Sequence, residues 1–213
     1  MAAKKGTTIY FWIIIDRGYG ELRKIEGCES LDDLNATKTD AVHIINFGKG
    51  LGVPEDQILI NRAATLKEVN ETYKKLLKIT RKLTVEEKPH TFIVYAGGHG
   101  ATMDEKQLYL LNSDVARDTC FGIEKKLRHL VADDDSTLKV FAVYDCCRAD
   151  LKNYAGLYPG RGTGGDDDSS GADDEGKPCP YFHLQACGPG GIAAADGGFA
   201  EKVFKQACRY AQR

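Results

Sequence analysis

The strongest constraint in this sequence is a rhythm, in which short apolar runs alternate with longer stretches of helical periodicity. Thr8 to Ile15 is a β-branched and aromatic run, and Gln57 to Asn61 is a shorter one. Thr91 to Ala96, Leu138 to Tyr144 and Tyr181 to Ala186 complete the set. Runs this apolar offer no polar face to water, so they read as strands buried on both sides, the condition of a parallel sheet. Between and after them, Ala36 to Phe47, Thr65 to Leu83, Phe121 to Val131 and Gly198 to Arg213 read as helices. In the second of these, Thr65 and Glu68 stand at capping-box spacing, and Leu66, Val69, Tyr73, Leu76 and Leu77 fall on one face. Such alternation predicts an α/β protein. No internal repeat is visible.

At 213 residues the chain is long enough to bury most of its apolar surface in a single domain, residues 1–213, without disulfide staples. A formal net charge of −2 gives no basic excess to attract nucleic acid. The longest uninterrupted apolar stretch, Ile9 to Ile15, has 7 residues against the roughly 20 of a membrane span, which excludes a transmembrane helix on it. Lys4 and Lys5 precede that stretch as in a signal peptide, but Asp16 and Arg17 follow where a small-residue cleavage site belongs, so we expect a cytoplasmic protein opening on a buried strand. Seven cysteines, an odd number, form no even framework. The expectation is reduced thiols, any special one being catalytic or metal-binding.

Residues 158–178 break the rhythm. Six glycines and six acidic residues (Asp166, Asp167, Asp168, Asp173, Asp174, Glu175) face only Arg161 and Lys177, so the segment reads as a flexible surface loop that cannot offset its ordering entropy. The acidic cluster fits no EF-hand spacing, and its glycines oppose a pre-organised ion site. A zinc reading of Cys179, His183 and Cys187 lacks the tight two-to-four spacing of structural sites. No metal or other cofactor is expected.

The chemistry gathers at two strand ends. The run Thr91 to Ala96 leads into Gly97, Gly98, His99 and Gly100, and Leu138 to Tyr144 leads into Asp145, Cys146, Cys147 and Arg148. In an open parallel sheet the functional crevice lies beyond the carboxyl ends of the strands, so an imidazole and a thiol at two such ends can meet there. A thiol needs that company: a neighbouring imidazole raises its thiolate fraction and later supplies the proton a leaving amine requires. The N–H groups of Gly100 and Cys147 are suited to hold the oxyanion of a tetrahedral intermediate. His43, His90 and His129 stand in helical or boundary contexts where a structural role is the default.

Tyr95-Ala96-Gly97-Gly98-His99-Gly100 followed by Val143-Tyr144-Asp145-Cys146-Cys147-Arg148, with Cys147 standing 48 residues (147 − 99) after His99, resembles the caspase-like cysteine peptidases. About 50 residues separate the pair in caspases. The resemblance runs over most of the chain: Asp40-Ala41 is similar to the start of the family's first helix, Gln107 to Leu111 and Asp114 to the segment after the histidine, and Cys187-Gly188-Pro189 to Phe199 to the last strand and helix. It implies a caspase-like fold, a mostly parallel central sheet of about six strands flanked by helices on both faces. It also implies His99 and Cys147 as catalytic dyad, with Gly100 and Cys147 as oxyanion donors. Cys146 competes with Cys147, and the family's Asp-x-Cys pattern selects Cys147, leaving Cys146 as a small buried hydrophobe. Gln206-Ala207-Cys208-Arg209 copies the caspase nucleophile tetrapeptide but lies in a helical pattern, and Gln185-Ala186-Cys187-Gly188 has no histidine-bearing strand end about 50 residues before it.

Asp145 stands where caspases proper carry Gln. An acidic residue there resembles metacaspases and paracaspases, which implies substrates with Arg or Lys before the scissile bond, Asp145 and Asp40 forming an acidic pocket. The plainer reading of Asp145 is a cap on the turn after the strand. Arg148 resembles paracaspases more than metacaspases, and Gly97 stands where metacaspases commonly carry Ser. Metacaspases often need calcium, and only Asp114 sits at a plausible position. The family's habit of self-cleavage beyond the nucleophile strand points to Arg161, between Gly160 and Gly162, as processing site. The function expected is thus a cysteine endopeptidase acting on proteins or peptides after Arg or Lys, without nucleic-acid or membrane partners. Its rivals are a catalytically silent caspase-like interaction module and a peptidase cutting after Asp.

Overall fold

The structure, a computed structural model, describes residues 7–15, 18–24, 28–29, 31–34, 37–62, 65–103, 107–111, 120–131, 137–150, 181–187 and 198–211. In chain order the elements are β1 (Thr8–Ile15), α1 (Thr37–Gly50), β2 (Ile58–Arg62), α2 (Leu66–Val85), β3 (His90–Gly98), β4 (Gly100–Met103), β5 (Gln107–Leu111), β6 (Cys120–Gly122), α3 (Ile123–Val131), β7 (Leu138–Cys146), β8 (Ala149–Asp150), β9 (Tyr181–Gln185) and α4 (Gly198–Ala211).

The five apolar runs pair into one parallel sheet of order β2-β1-β3-β7-β9. The continuous apolarity of β1 follows from what covers its two faces. Phe11, Ile13 and Ile15 pack with Ala41 and Ile44 of α1 and with Ala200 and Phe204 of α4. Trp12 and Ile14, pointing the other way as strand alternation requires, join Val69, Tyr73 and Leu76 of α2 and Leu127 and Leu130 of α3. The fold is therefore α/β with helices on both faces, an arrangement compatible with the caspase-like fold. Among the described residues the central sheet holds five strands rather than about six, matching the number of apolar runs.

Local signals in the sequence act as read. The Thr65 hydroxyl accepts the Glu68 N–H at 3.2 Å, and the Glu68 carboxylate accepts the Thr65 N–H at 2.9 Å, closing the capping box that starts α2. Buried Trp12 gives its indole N–H to Asn61 at 2.8 Å, so the largest side chain of the core leaves no donor unsatisfied.

A second sheet, of order β6-β5-β4-β8, is not foreshadowed by any run of strand pattern. It corrects the reading of Phe121, expected in a helix and found in β6, where Leu110 is its antiparallel partner and α3 begins two residues later. β4, β6 and β8, of two to four residues, are too short for periodicity to distinguish them from helix ends. The expected loop 158–178 with Arg161, as well as Asp114 and Cys179, lie outside the described residues. No helix among the described residues is long and apolar enough to cross a membrane.

Leu76 is fully buried between α2 and the sheet. Leu76→Ala is expected to lower the unfolding free energy by about 2–5 kcal/mol. Val85→Ala, at a position 85% exposed, should stay within about 0.5 kcal/mol. Urea denaturation of the two variants beside wild type checks both.

Candidate active site

The parallel register between β3 and β7 pairs Gly97 with Asp145 and Gly98 with Cys146. His99 and Cys147 each follow that last pair by one residue, so they leave adjacent strands at the same level. Neighbouring strands run about 4.8 Å apart. The backbones of His99 and Cys147 thus leave the carboxyl ends of neighbouring strands side by side.

Glycine makes the close approach of the two turns feasible. Gly98 takes φ 154°, a backbone region that side chains strongly disfavour. A Cβ at Gly100 would stand 2.5 Å from the Cys147 carbonyl oxygen and 3.0 Å from Cys146 Sγ, so any larger residue pushes the histidine turn off the cysteine turn. The Leu111 N–H donates to the His99 carbonyl at 2.9 Å, which makes Gly100–Leu110 a non-hydrogen-bonded pair of the antiparallel ladder. The Gly100 N–H therefore lies outside the bonds to β5.

His99 is held by residues that sequence reasoning did not single out. Its Nε2 lies 2.8 Å from the Asp32 carbonyl oxygen. A carbonyl only accepts, so Nε2 carries the proton and Nδ1 presents the lone pair. Its backbone N–H donates to the Tyr19 hydroxyl at 2.8 Å, and the Tyr19 ring stands edge-on at 4.5 Å between centroids. Tyr19 is fully buried, and its own N–H donates to Asp33 at 3.0 Å. Burial lowers the His99 pKa below 6.5, and the Asp32 carbonyl and the charges of Asp32 and Asp33 only partly oppose it. The single hint in the sequence is position: Tyr19 is an aromatic between two glycines just past the carboxyl end of β1, the edge where the crevice lies.

The two thiols separate as expected. Cys146 is 2% exposed, and burial holds its pKa well above the ordinary thiol value, whereas Cys147 is half-buried. The Cys208 tetrapeptide lies within α4. Cys187 follows β9, the neighbour of β7, and His183 of β9 is exposed beside the Tyr144 and Tyr181 rings.

Asp40 lies in the first turn of α1, 2% exposed, at the favourable end of the helix dipole for a carboxylate. Asp145 accepts the Tyr95 hydroxyl at 3.0 Å. Burial foremost, then the charges of Asp145 and Asp40, keeps the Tyr95 pKa well above its ordinary value, so both carboxylates lie within electrostatic reach of that hydroxyl. Asp145 thus bonds the Tyr95 hydroxyl directly and Asp40 acts on it through its charge, Tyr95 being a partner that sequence reasoning did not single out for this role. The structure also accounts for Gly97: a Cβ there would meet the Tyr95 hydroxyl at 2.7 Å, so the phenol fills the space of a side chain at 97.

Arg148 points into the protein. At 6% exposed, its guanidinium donates to the Gln185 side-chain oxygen and lies 3.8 Å from Glu124, itself 5% exposed. Glu124 also accepts the Leu108 N–H at 3.0 Å and the Gln185 amide at 3.2 Å, and the Arg148 carbonyl accepts the Thr102 hydroxyl at 3.1 Å. This cluster ties the cysteine turn to α3, β4, β5 and β9.

No family model matches the chain, and no curated protein matches it. Among solved structures 37 chains match. One is the crystal structure of Raptor from Chaetomium thermophilum, 15% identical at a TM-score of 0.40, the match covering 88% of this chain and 16% of that one.

Two outcomes follow from this geometry. Because the folded His99 resists protonation, the unfolded chain binds more protons below pH 6.5, and stability falls as the pH drops beneath that value. Chemical denaturation across pH 7.5 to pH 5 should show a smaller fall for His99→Gln than for wild type. Gly100→Ala should destabilise by about 1–3 kcal/mol, as overpacking does, whereas Gly50→Ala, with nothing within 4 Å of its added Cβ, should not destabilise.

Proposed function

We propose that this chain is a cysteine endopeptidase of the caspase-like type, cleaving after Arg or Lys. The observation that supports this reading most is the Gly98–Cys146 register, from which His99 and Cys147 emerge together beside a close-packed Gly100. The lowered pKa of His99 suits it to act as a neutral base near pH 7.

In this mechanism His99 Nδ1 takes the Cys147 proton while the Asp32 carbonyl holds Nε2–H and fixes the ring. The thiolate attacks the scissile carbonyl carbon, and the carbonyl electrons move onto oxygen, where the N–H groups of Gly100 and Cys147 receive them. Imidazolium then gives its proton to the leaving amine as the C–N bond breaks, leaving a thioester. Water, deprotonated by His99, hydrolyses the thioester and restores the thiol. Asp145 and Asp40 attract the cationic side chain before the cut and repel an acidic one. Self-cleavage after Arg161 belongs to the same proposal.

Labelling with chloromethyl ketone peptides ending in Arg or Asp tests it by mass spectrometry. Arg is expected to win by about a hundredfold or more, the scale of a lost buried ion pair, and Cys147→Ala should take no label while Cys146→Ala still does. Preference for Asp would remove the acidic pocket, and no labelling would favour the silent module. Incubation of the same wild-type protein should yield a new N-terminus at Gly162 that Cys147→Ala does not produce.

A further inference from the structure

Cys187 has no part in the peptidase mechanism, yet it is built against the nucleophile turn. Tyr144 pairs with Gln185, and the Ala186 N–H donates to the Tyr144 carbonyl at 2.9 Å, so the parallel register of β7 and β9 continues past the last strand residue. One step further sets Cys187 opposite Cys146, one residue short of Cys147. Its Sγ lies 3.4 Å from the Cys146 carbonyl oxygen, the carbonyl whose carbon is bonded to the Cys147 nitrogen. The Cys187 sulfur thus lies against the peptide that joins Cys146 to Cys147, and none of the three cysteines is joined in a disulfide.

The three thiols differ in access. Cys146 is sealed in the core, whereas Cys147 and Cys187 are both half-buried. Burial raises the Cys187 pKa, and the Arg148 backbone N–H and guanidinium oppose that rise, while the charge of Cys147 couples to it. Cys187 is thus a thiol kept mostly protonated beside a neighbour it can join.

We propose that Cys187 is a resolving thiol for Cys147, closing a reversible Cys147–Cys187 disulfide when the nucleophile is oxidised by hydrogen peroxide. The reactivity of Cys147 in this step rests on the peptidase reading, which calls for its thiolate. That thiolate attacks one peroxide oxygen and the O–O bond breaks, giving a sulfenic acid and hydroxide, which takes up a proton as water. Cys187, losing its proton to solvent, attacks the Cys147 sulfur; the S–S bond forms, the S–O bond breaks, and the departing hydroxide is protonated to a second water. Sulfur loses two electrons overall and the peroxide gains them. The product blocks the nucleophile and keeps it from further, irreversible oxidation.

The test treats the whole reduced chain with an excess of hydrogen peroxide, blocks remaining thiols with N-ethylmaleimide and maps peptides by mass spectrometry with fragmentation. Expected is a Cys147–Cys187 cross-link that persists in Cys146→Ala, together with loss of turnover on an Arg peptide that dithiothreitol reverses. In Cys187→Ser, basal turnover should stay within about twofold of wild type, while peroxide carries Cys147 to a sulfinate that dithiothreitol does not rescue. A Cys146–Cys187 cross-link, or wild-type Cys147 reaching sulfinate as readily as in Cys187→Ser, overturns the proposal. The mass map separates the two readings: an active chain without the cross-link refutes the resolving thiol alone, and an inactive chain that forms it refutes the peptidase alone.

Discussion

The hydrogen-bonded register of β3 against β7 is the constraint from which the rest of the site follows. A parallel strand pair has a side-chain period of two, so slipping it by one residue turns every side chain to the other face. Such a slip would drive Tyr95 out of the α1–α4 layer and set His99 and Cys147 at different heights. What forbids it is burial on both faces: Phe92, Val94 and Ala96 belong to the α2–α3 core, and Tyr95 and Val143 to the other. Apolar packing of the two layers thus sets the height at which imidazole and thiol leave the sheet.

A second, polar constraint fixes the cysteine turn. Glu124 and Arg148 are both more than nine-tenths buried, and their separation of 3.8 Å is long for a charge-assisted hydrogen bond. Gln185 mediates, accepting from Arg148 and donating to Glu124, while the Leu108 N–H satisfies the other carboxylate oxygen. Buried charges contribute little net stability, but removing one partner leaves the other desolvated and alone, at a cost of about 3–5 kcal/mol. That asymmetry holds the turn rigid. Cys147, immediately before Arg148, is thereby carried on a fixed backbone.

The elements were legible in the sequence where patterns were long. β1 is expected and found over Thr8–Ile15, and α2 starts where the Thr65–Glu68 box places its cap. The second sheet was not legible, because β4, β6 and β8 are each too short to show a period, and Phe121 carries no local sign of being strand rather than helix. At the site, His99, Gly100, Cys147 and Asp145 could be named from strand ends and from resemblance. Tyr19, the Asp32 carbonyl and Tyr95 could not, since a backbone carbonyl has no residue signature and a tyrosine's partner is decided by what folds over it.

The sequence by itself determined the layered α/β architecture, because continuous apolar runs of strand length have to be covered on both faces. It determined the inventory of chemistry too: glycines where backbone approaches closely, an imidazole and several thiols at strand ends, and two carboxylates in reserve. Only tertiary structure decided how they are used. It oriented the imidazole through Tyr19 and the Asp32 carbonyl, and it directed Arg148 inward to Glu124. It also bonded Asp145 to a buried phenol and set Cys187 against the Cys146 carbonyl. Each of these joins residues far apart in the chain, and the packing that brings them together has no local pattern to announce it.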